Sequence, residues 1–218
     1  MSEKIVEYSF YLTYAFLVTT GTITFIESVR TKHESMRHIL NLETCISIVA
    51  AFFYSKFVQE FNNNYQIVNY KNINLNRYVD WAITTPIMLL VLILAFKYNN
   101  TNNAQVKFTD YLIILALNYG MLSSGYMGDI QKISRQTSTI IGFLFFGGLF
   151  LFIYNTYLRQ KNNTNNLLYS AFFILWSLYG VFYQMEQKSR NIGYNILDLF
   201  SKCFVGIYFW AYFTKIFN

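Results

Sequence analysis

Four ionisable side chains lie in the middle of apolar stretches of this 218-residue chain, and they form two close pairs. Asp198 and Lys202 are four residues apart, and Arg77 and Asp80 are three apart. These spacings place the members of each pair on one face of a helix. A desolvated lysine loses its proton easily and can attack a carbonyl to form a Schiff base, whose positive charge the two carboxylates would balance. The plainer alternative is a buried ion-pair network that only fixes how two helices pack.

The composition is that of a protein embedded in a lipid bilayer. Hydrophobic residues make up 54% of the chain and charged residues 13%, against about 25% charged in soluble domains. This excludes a disordered chain, a collagen, a disulfide scaffold and an ordinary soluble enzyme. The net charge of +6 is scattered over loops and segment ends. We therefore expect anionic lipid headgroups as partners, with no nucleic acid, no metal site and no enzymatic activity.

Seven stretches approach the ~20 apolar residues that a membrane-spanning helix needs. They do not alternate with a period of two, which argues against a β-barrel. The connectors are short and rich in asparagine, and the basic residues divide almost evenly between the two sides. We predict an all-α, multi-pass membrane protein, with one seven-helix domain over residues 1–218. The approximate cores are Tyr8–Val29, Arg37–Val58, Leu75–Phe96, Asp110–Met127, Gln136–Leu158, Leu167–Met185 and Gly193–Ile216.

Two of these stretches carry motifs of a known family. The segment from Arg77 to Pro86 resembles the third helix of the microbial (type I) rhodopsins, and the segment from Asp198 to Lys202 resembles the seventh. The short loops, the many asparagines and a pairing of Glu43 with Trp210 look like the viral branch of that family. Matches elsewhere are Tyr54, the group Asn118, Met121, Ser124 and Gly125, and the run Trp176-Ser177-Leu178-Tyr179.

The resemblance implies a seven-helix bundle around all-trans retinal, which Lys202 would hold as a protonated Schiff base. Asp80 would be the primary counterion and proton acceptor, Asp198 the second counterion and Arg77 a switchable cation. Thr84 would hydrogen-bond Asp80. The resemblance assigns the retinal pocket to Trp81, Trp176, Tyr179, Tyr54, Thr85, Met88, Met121, Ser124, Gly125, Gly142, Phe146, Tyr183 and Ser201, with Tyr54 also bound to Asp198.

The chain departs from the family's proton pumps at the proton donor. Val91 stands where they often have a carboxylate, seven residues beyond Thr84. Glu43 is the candidate replacement, as donor or gate, and Trp210 would lie at a similar depth to hydrogen-bond it. Glu186 is the one external carboxylate near the last connection, so we do not expect a paired-carboxylate proton release group.

A light-driven outward proton pump is the function that Asp80, Thr84 and Arg77 favour. A light-gated cation channel is the first alternative, and a sensory photoreceptor that signals to an unidentified transducer is the second. A transporter without chromophore and a G-protein-coupled receptor would require the motifs to be accidental. By family analogy the amino terminus is extracellular and the protein forms trimers or pentamers. Ser201 and Gly142 favour blue-green to green absorption.

Overall fold

Every regular element that the structure describes is a helix. The structure is a computed structural model that describes residues 2–63, 68–101, 106–158 and 162–214. Within these ranges the chain forms seven helices, which confirms the predicted fold class. They are α1 (Glu3–Arg30), α2 (Glu34–Asn63), α3 (Tyr70–Thr101), α4 (Phe108–Asp129), α5 (Arg135–Tyr157), α6 (Asn163–Tyr183) and α7 (Gln187–Thr214).

The helices form a closed ring in chain order. Each helix packs against the next, and α7 returns to pack against α1. We call the end at which α1, α3, α5 and α7 begin the N-side, and the end at which they finish the C-side. Arg77 and Asp80 therefore lie in the N-side half of the bundle, and Glu43 lies in the C-side half.

The predicted cores differ from the helices mainly at their ends. Apolar content alone underestimates the length of α3. The helix begins at Tyr70 rather than Leu75, because polar residues continue it beyond the apolar stretch. Leu158 and Met185 lie just past the ends of α5 and α6. Ile216 and parts of the asparagine-rich connectors lie outside the described residues.

Pro86 is accommodated inside α3 by a neighbouring helix. A proline lacks the backbone N–H that would bond the carbonyl four residues earlier. That carbonyl, of Ala82, accepts a hydrogen bond of 3.0 Å from the Tyr119 hydroxyl of α4. A second tyrosine of α4, Tyr111, donates to the Pro86 carbonyl at 3.0 Å. These contacts keep α3 continuous at the level of the buried charges.

The outer surface of the bundle is apolar, as a lipid-facing surface must be. Large apolar side chains lie on this surface. One of them is Leu144 of α5, which is 72% exposed. Six of the seven described helices, all except α4, are long and apolar enough to span a membrane. Both cysteines are free: Cys45 faces outward from α2, and Cys203 of α7 is buried.

Candidate functional site

The two predicted charge pairs meet between α3 and α7. Lys202 Nζ donates a hydrogen bond of 2.8 Å to Asp80 Oδ2 and lies 3.4 Å from Asp198 Oδ1. All three side chains are at most 1% exposed. A lone buried charge is costly, so the cluster is tolerable because opposite charges touch inside it.

Arg77 completes the cluster on its N-side. Its guanidinium lies 3.5 Å from Asp198 Oδ2 and donates to the Tyr54 hydroxyl at 3.1 Å. It also donates to the side-chain oxygens of Asn191 and Asn195. With two cations and two carboxylates, the cluster is formally neutral.

The two carboxylates have different environments. Asp198 accepts hydrogen bonds from the hydroxyls of Tyr54 at 2.8 Å and Tyr179 at 2.6 Å. Asp80 accepts a hydrogen bond from Lys202. The Thr84 hydroxyl lies at the longer distance of 3.4 Å from Asp80 Oδ1 and at 2.9 Å from the backbone carbonyl of Asp80. Asp198 therefore accepts from more hydroxyl donors than Asp80 does, and donors of this kind stabilise a carboxylate charge.

The lysine sits on an irregular turn of α7. Residues Leu199–Phe204 form a π-helical segment, in which Ser201, Lys202 and Cys203 are buried. Such turns occur frequently at functional sites. The turn leaves Lys202 within reach of both carboxylates, although the sequence spacing assumes a regular α-helix.

A cavity adjoins Lys202 and Asp198. It spans about 800 Å³ of unfilled space, part of which is open to the outside. Tyr54, predicted for the pocket, does not line it and bonds Asp198 instead. Every other residue predicted to hold the chromophore does line it: Trp81, Thr85, Met88, Met121, Ser124, Gly125, Gly142, Phe146, Trp176, Tyr179, Tyr183, Ser201 and Lys202.

The lining also includes residues that the sequence analysis missed. One is Tyr78, three residues before Trp81, and that spacing could have indicated the shared face. Another is Gly180, where an added Cβ would lie 2.6 Å from the Phe143 ring, so the glycine makes room for that ring. The remaining additional lining residues are Leu122, Ser138, Thr139, Phe143 and Tyr194.

The cavity fits a long apolar molecule that ends in a carbonyl. Trp81, Trp176 and Tyr179 supply aromatic walls, and the Lys202 amine is the group that can attach the carbonyl carbon. Retinal, an apolar polyene aldehyde, has these properties.

A second buried ion pair, between Asp129 of α4 and Arg190 of α7, was not predicted. Arg190 donates to both carboxylate oxygens, with Nη1 at 2.8 Å from Oδ1, and its side chain is 1% exposed. Tyr78 donates to Asp129 at 2.9 Å, and Arg190 Nε donates to Tyr194 at 3.1 Å. Because Tyr78 and Tyr194 also line the cavity, the pair supports the cavity wall on the N-side.

We expect Arg190→Gln to loosen the N-side wall of the cavity. It leaves the Asp129 carboxylate buried without its cation, which costs about 3–5 kcal/mol. Hydroxylamine should then bleach the pigment faster in the dark, and the colour should be lost at lower temperature. Arg135→Gln, at an exposed position, is the control. Adding Asp129→Asn should recover part of the loss, because the unpaired charge is gone. Unchanged bleaching in Arg190→Gln would contradict this role.

Glu43 lies in α2, buried at 2% exposure, in the C-side half. Its predicted hydrogen bond to Trp210 is wrong: Oε2 has no partner among the described residues. The carboxylate instead faces Gly206 of α7, where an added Cβ would lie 3.2 Å from Oε2. Trp210 packs against the apolar core, and Val91 is fully buried in that core.

Comparison with known proteins gives one family. The sequence profile described as bacteriorhodopsin-like protein matches residues 5–216. Among solved structures, the chain is 68% identical to viral rhodopsin OLPVRII over 98% of this chain and 100% of that one, with a TM-score of 0.93. This confirms the resemblance to the viral branch.

More distant structures share the fold alone. They include a blue light-absorbing proteorhodopsin from Med12, at 20% identity, 97% coverage of both chains and a TM-score of 0.77. Acetabularia Rhodopsin I is 18% identical, covering 100% of this chain and 97% of that one, with a TM-score of 0.80. A search of proteins with curated descriptions gives no match. The match over nearly the whole length, together with the 68% identical viral relative, shows that this chain belongs to the bacteriorhodopsin-like family of microbial rhodopsins, which bind retinal.

Proposed function

We propose that this chain binds all-trans retinal through Lys202 and uses light to pump protons from the C-side to the N-side. The observation that carries the proposal is the 2.8 Å contact between Lys202 Nζ and Asp80 Oδ2, two side chains that are at most 1% exposed. When bound, retinal supplies the absorption of light and an isomerisation that changes how firmly the linked nitrogen holds its proton.

Asp80 is the group that takes this proton. It touches Nζ directly, and it has fewer hydrogen-bond donors of its own than Asp198. Asp198 accepts from two tyrosine hydroxyls and lies beside Arg77, so donors and a cation stabilise its negative charge. The two carboxylates thus divide the work: one accepts, and the other balances charge.

Arg77 lies on the N-side of the cluster, the side on which we propose that the proton leaves. Its guanidinium is fully buried and lies 5.1 to 5.6 Å from the ring centroids of four aromatic residues. Transfer of the proton from Nζ to Asp80 leaves the cluster neutral. Once Nζ is reprotonated while Asp80 still holds its proton, the cluster carries a net charge of one positive unit, which favours release of a proton from Asp80 toward the N-side. With the amino terminus extracellular, as the family resemblance suggests, the pump is directed outward.

Glu43 is the donor that returns a proton to Nζ. A carboxyl group without a cationic partner inside a membrane is held as the neutral acid, which is the state a donor needs. We expect Glu43→Gln to slow reprotonation of Nζ after a flash by about 100-fold, since a positioned acid contributes about that much. Glu27→Gln is the matched control, because Glu27 is near the helix end with an arginine beside it. Equal recovery rates in the two variants would remove Glu43 from the mechanism.

A light-gated cation channel is the second candidate. Polar side chains lie near Glu43: Thr20 meets it beside Gly206, and Ser47, one turn further along α2, has a buried hydroxyl without a partner in the described chain. These groups could admit water and ions when the bundle opens. Against this, the N-side is closed by the fixed charge of Arg77, which a cation would have to pass.

Photocurrent in a retinal-supplied membrane with symmetric solutions tests the proposal. A steady current at zero voltage supports the pump, and its sign gives the direction. A current that vanishes at zero voltage and reverses with an imposed ion gradient shows a channel. A coloured preparation that completes its photocycle without any current supports the sensory photoreceptor.

A further inference from the structure

The buried face of α1 changes character along its length. In the N-side half it is mainly apolar, with Val6, Phe10 and Leu17. Beyond Leu17 its buried residues are Thr20, Gly21, Thr24 and Ser28, all small and nearly all hydroxylated. The spacing of four between the three hydroxylated residues places them in one row along the helix.

The facing surface of α2 is polar at the same level. Glu43, Thr44 and Ser47 are all at most 5% exposed. The Thr24 and Thr44 hydroxyls are 2.9 Å apart, which joins the two rows. We call the five hydroxylated residues Thr20, Thr24, Ser28, Thr44 and Ser47 the α1–α2 seam.

Hydroxyl groups between membrane helices often serve only to pack the helices together, each bonded to a carbonyl or to another side chain. Part of this seam fits that role, since Thr24 and Thr44 each donate to a carbonyl one turn earlier. The part beside Glu43 does not. Ser47 Oγ and Glu43 Oε2, one turn apart on the same face of α2, are buried without a hydrogen-bond partner in the described chain. Thr20, which meets Glu43 beside Gly206, has only the weakly hydrogen-bonding thiol of Cys203 next to its hydroxyl. Such groups are the ones that ordered water or a moving proton would satisfy.

The seam also leads toward the lysine. The Cys203 thiol, next to Lys202 in the chain, lies beside the Thr20 hydroxyl. The side of α3 where the family's pumps often have their donor offers no comparable groups. Val91, Leu92 and Phe96 are fully buried there in an apolar cluster that includes Ile46 of α2.

We propose that protons reach Glu43 from the C-side surface along the α1–α2 seam, and pass from Glu43 toward Lys202 by way of Ser47 and Thr20. This rests on the proposed function of Glu43 as donor and assigns its route. Glu43 gives its proton to Nζ and regains one from C-side water, so no other reactant is consumed. The seam has an inner part, Ser47 and Thr20, and an outer part, Thr24, Thr44 and Ser28.

The two parts can be separated by timing two events after a flash. Reprotonation of Nζ is followed by absorption, and proton uptake from the C-side solution by a pH-indicator dye. Ser47→Ala should slow reprotonation about fivefold, the effect of losing one hydrogen-bonding step. Thr24→Val should leave reprotonation unchanged and slow uptake about fivefold. Thr22→Val is the matched control, because Thr22 also bonds a carbonyl one turn earlier but faces outward.

A second readout does not need the pigment. In protein prepared without retinal, exchange of the Glu43 carboxyl proton for deuterium after transfer to D₂O is followed by its infrared carbonyl band, assigned by its absence in Glu43→Gln. Thr24→Val should slow this exchange about fivefold relative to Thr22→Val, because it interrupts the outer seam.

The outcomes separate the route from the function. If Glu43→Gln slows reprotonation but Thr24→Val and Ser47→Ala match Thr22→Val in every assay, the proposed route along the seam is wrong. Glu43 then remains the proposed donor. If Glu43→Gln has no effect on reprotonation, the donor and with it the route are wrong. Slower exchange in retinal-free Thr24→Val supports the seam whether or not the photocurrent proves to be that of a pump.

Discussion

Lys202→Ala will produce a protein without visible absorption when retinal is supplied. Lys202 is the lysine whose amine lines the cavity, and its Nζ lies between two buried carboxylates. Without that amine no covalent link to an aldehyde can form at this place, and a free polyene aldehyde lacks the positive nitrogen that moves its absorption into the visible range. Absorption spectra of the purified protein after retinal addition measure the result.

The control must separate loss of the link from loss of the fold. Lys202→Ala leaves two carboxylates facing Arg77 alone, and an uncompensated buried charge of this kind costs about 3–5 kcal/mol. Lys202→Ala combined with Asp80→Asn restores a neutral cluster and should fold, still without colour. Lys56→Ala, which removes an ammonium that lies over the Phe52 ring away from the cavity, should keep its colour. A persistent visible band in the double variant would mean that retinal is attached elsewhere.

The charge cluster was predictable because the spacing of two residues along a helix determines whether their side chains lie on the same face. Residues three or four apart share a face, so Arg77 with Asp80 and Asp198 with Lys202 had to present their charges together. Burial in apolar stretches then required the two faces to meet, since separate charges in a membrane are too costly. The structure brings them within 2.8 to 3.5 Å of one another.

The Glu43–Trp210 hydrogen bond was not predictable in the same way. Gly206 and Trp210 are four residues apart, so they lie on the same face of α7 and differ in depth by one turn. The structure places Glu43 level with Gly206, one turn nearer to Lys202 than Trp210. The relative depth of residues on α2 and α7 depends on how the two helices are set against each other, and no spacing within either helix records it.

The Asp129–Arg190 pair was missed for a different reason. Each residue lies near the end of an apolar stretch, where a charge ordinarily reaches water. Their pairing depends on how the end of α4 approaches the start of α7, 61 residues further along the chain. No local spacing carries that information.

Asp80→Asn will change both the colour and the transport. At 2.8 Å, the attraction between Asp80 and a positive Nζ amounts to about 6 kcal/mol before desolvation, for an effective dielectric constant of about 20. This attraction stabilises the dark state, in which the positive charge is concentrated at the nitrogen. Asparagine fills the same space without the charge. The band should therefore move to longer wavelength, or Nζ should lose its proton and the band should move into the ultraviolet.

The same substitution removes the proposed proton acceptor, and the steady photocurrent at zero voltage should fall by about 100-fold or more. We do not expect Asp198 to replace Asp80, because its oxygens already accept from two tyrosine hydroxyls and lie beside Arg77. Asp80→Glu keeps the charge and should retain a band near the original wavelength. Asp110→Asn, near the C-side end of α4, removes a carboxylate far from the cluster and should change neither property. If Asp80→Asn matched Asp110→Asn in both colour and current, another group would be the counterion, and Asp198 would be the first to test.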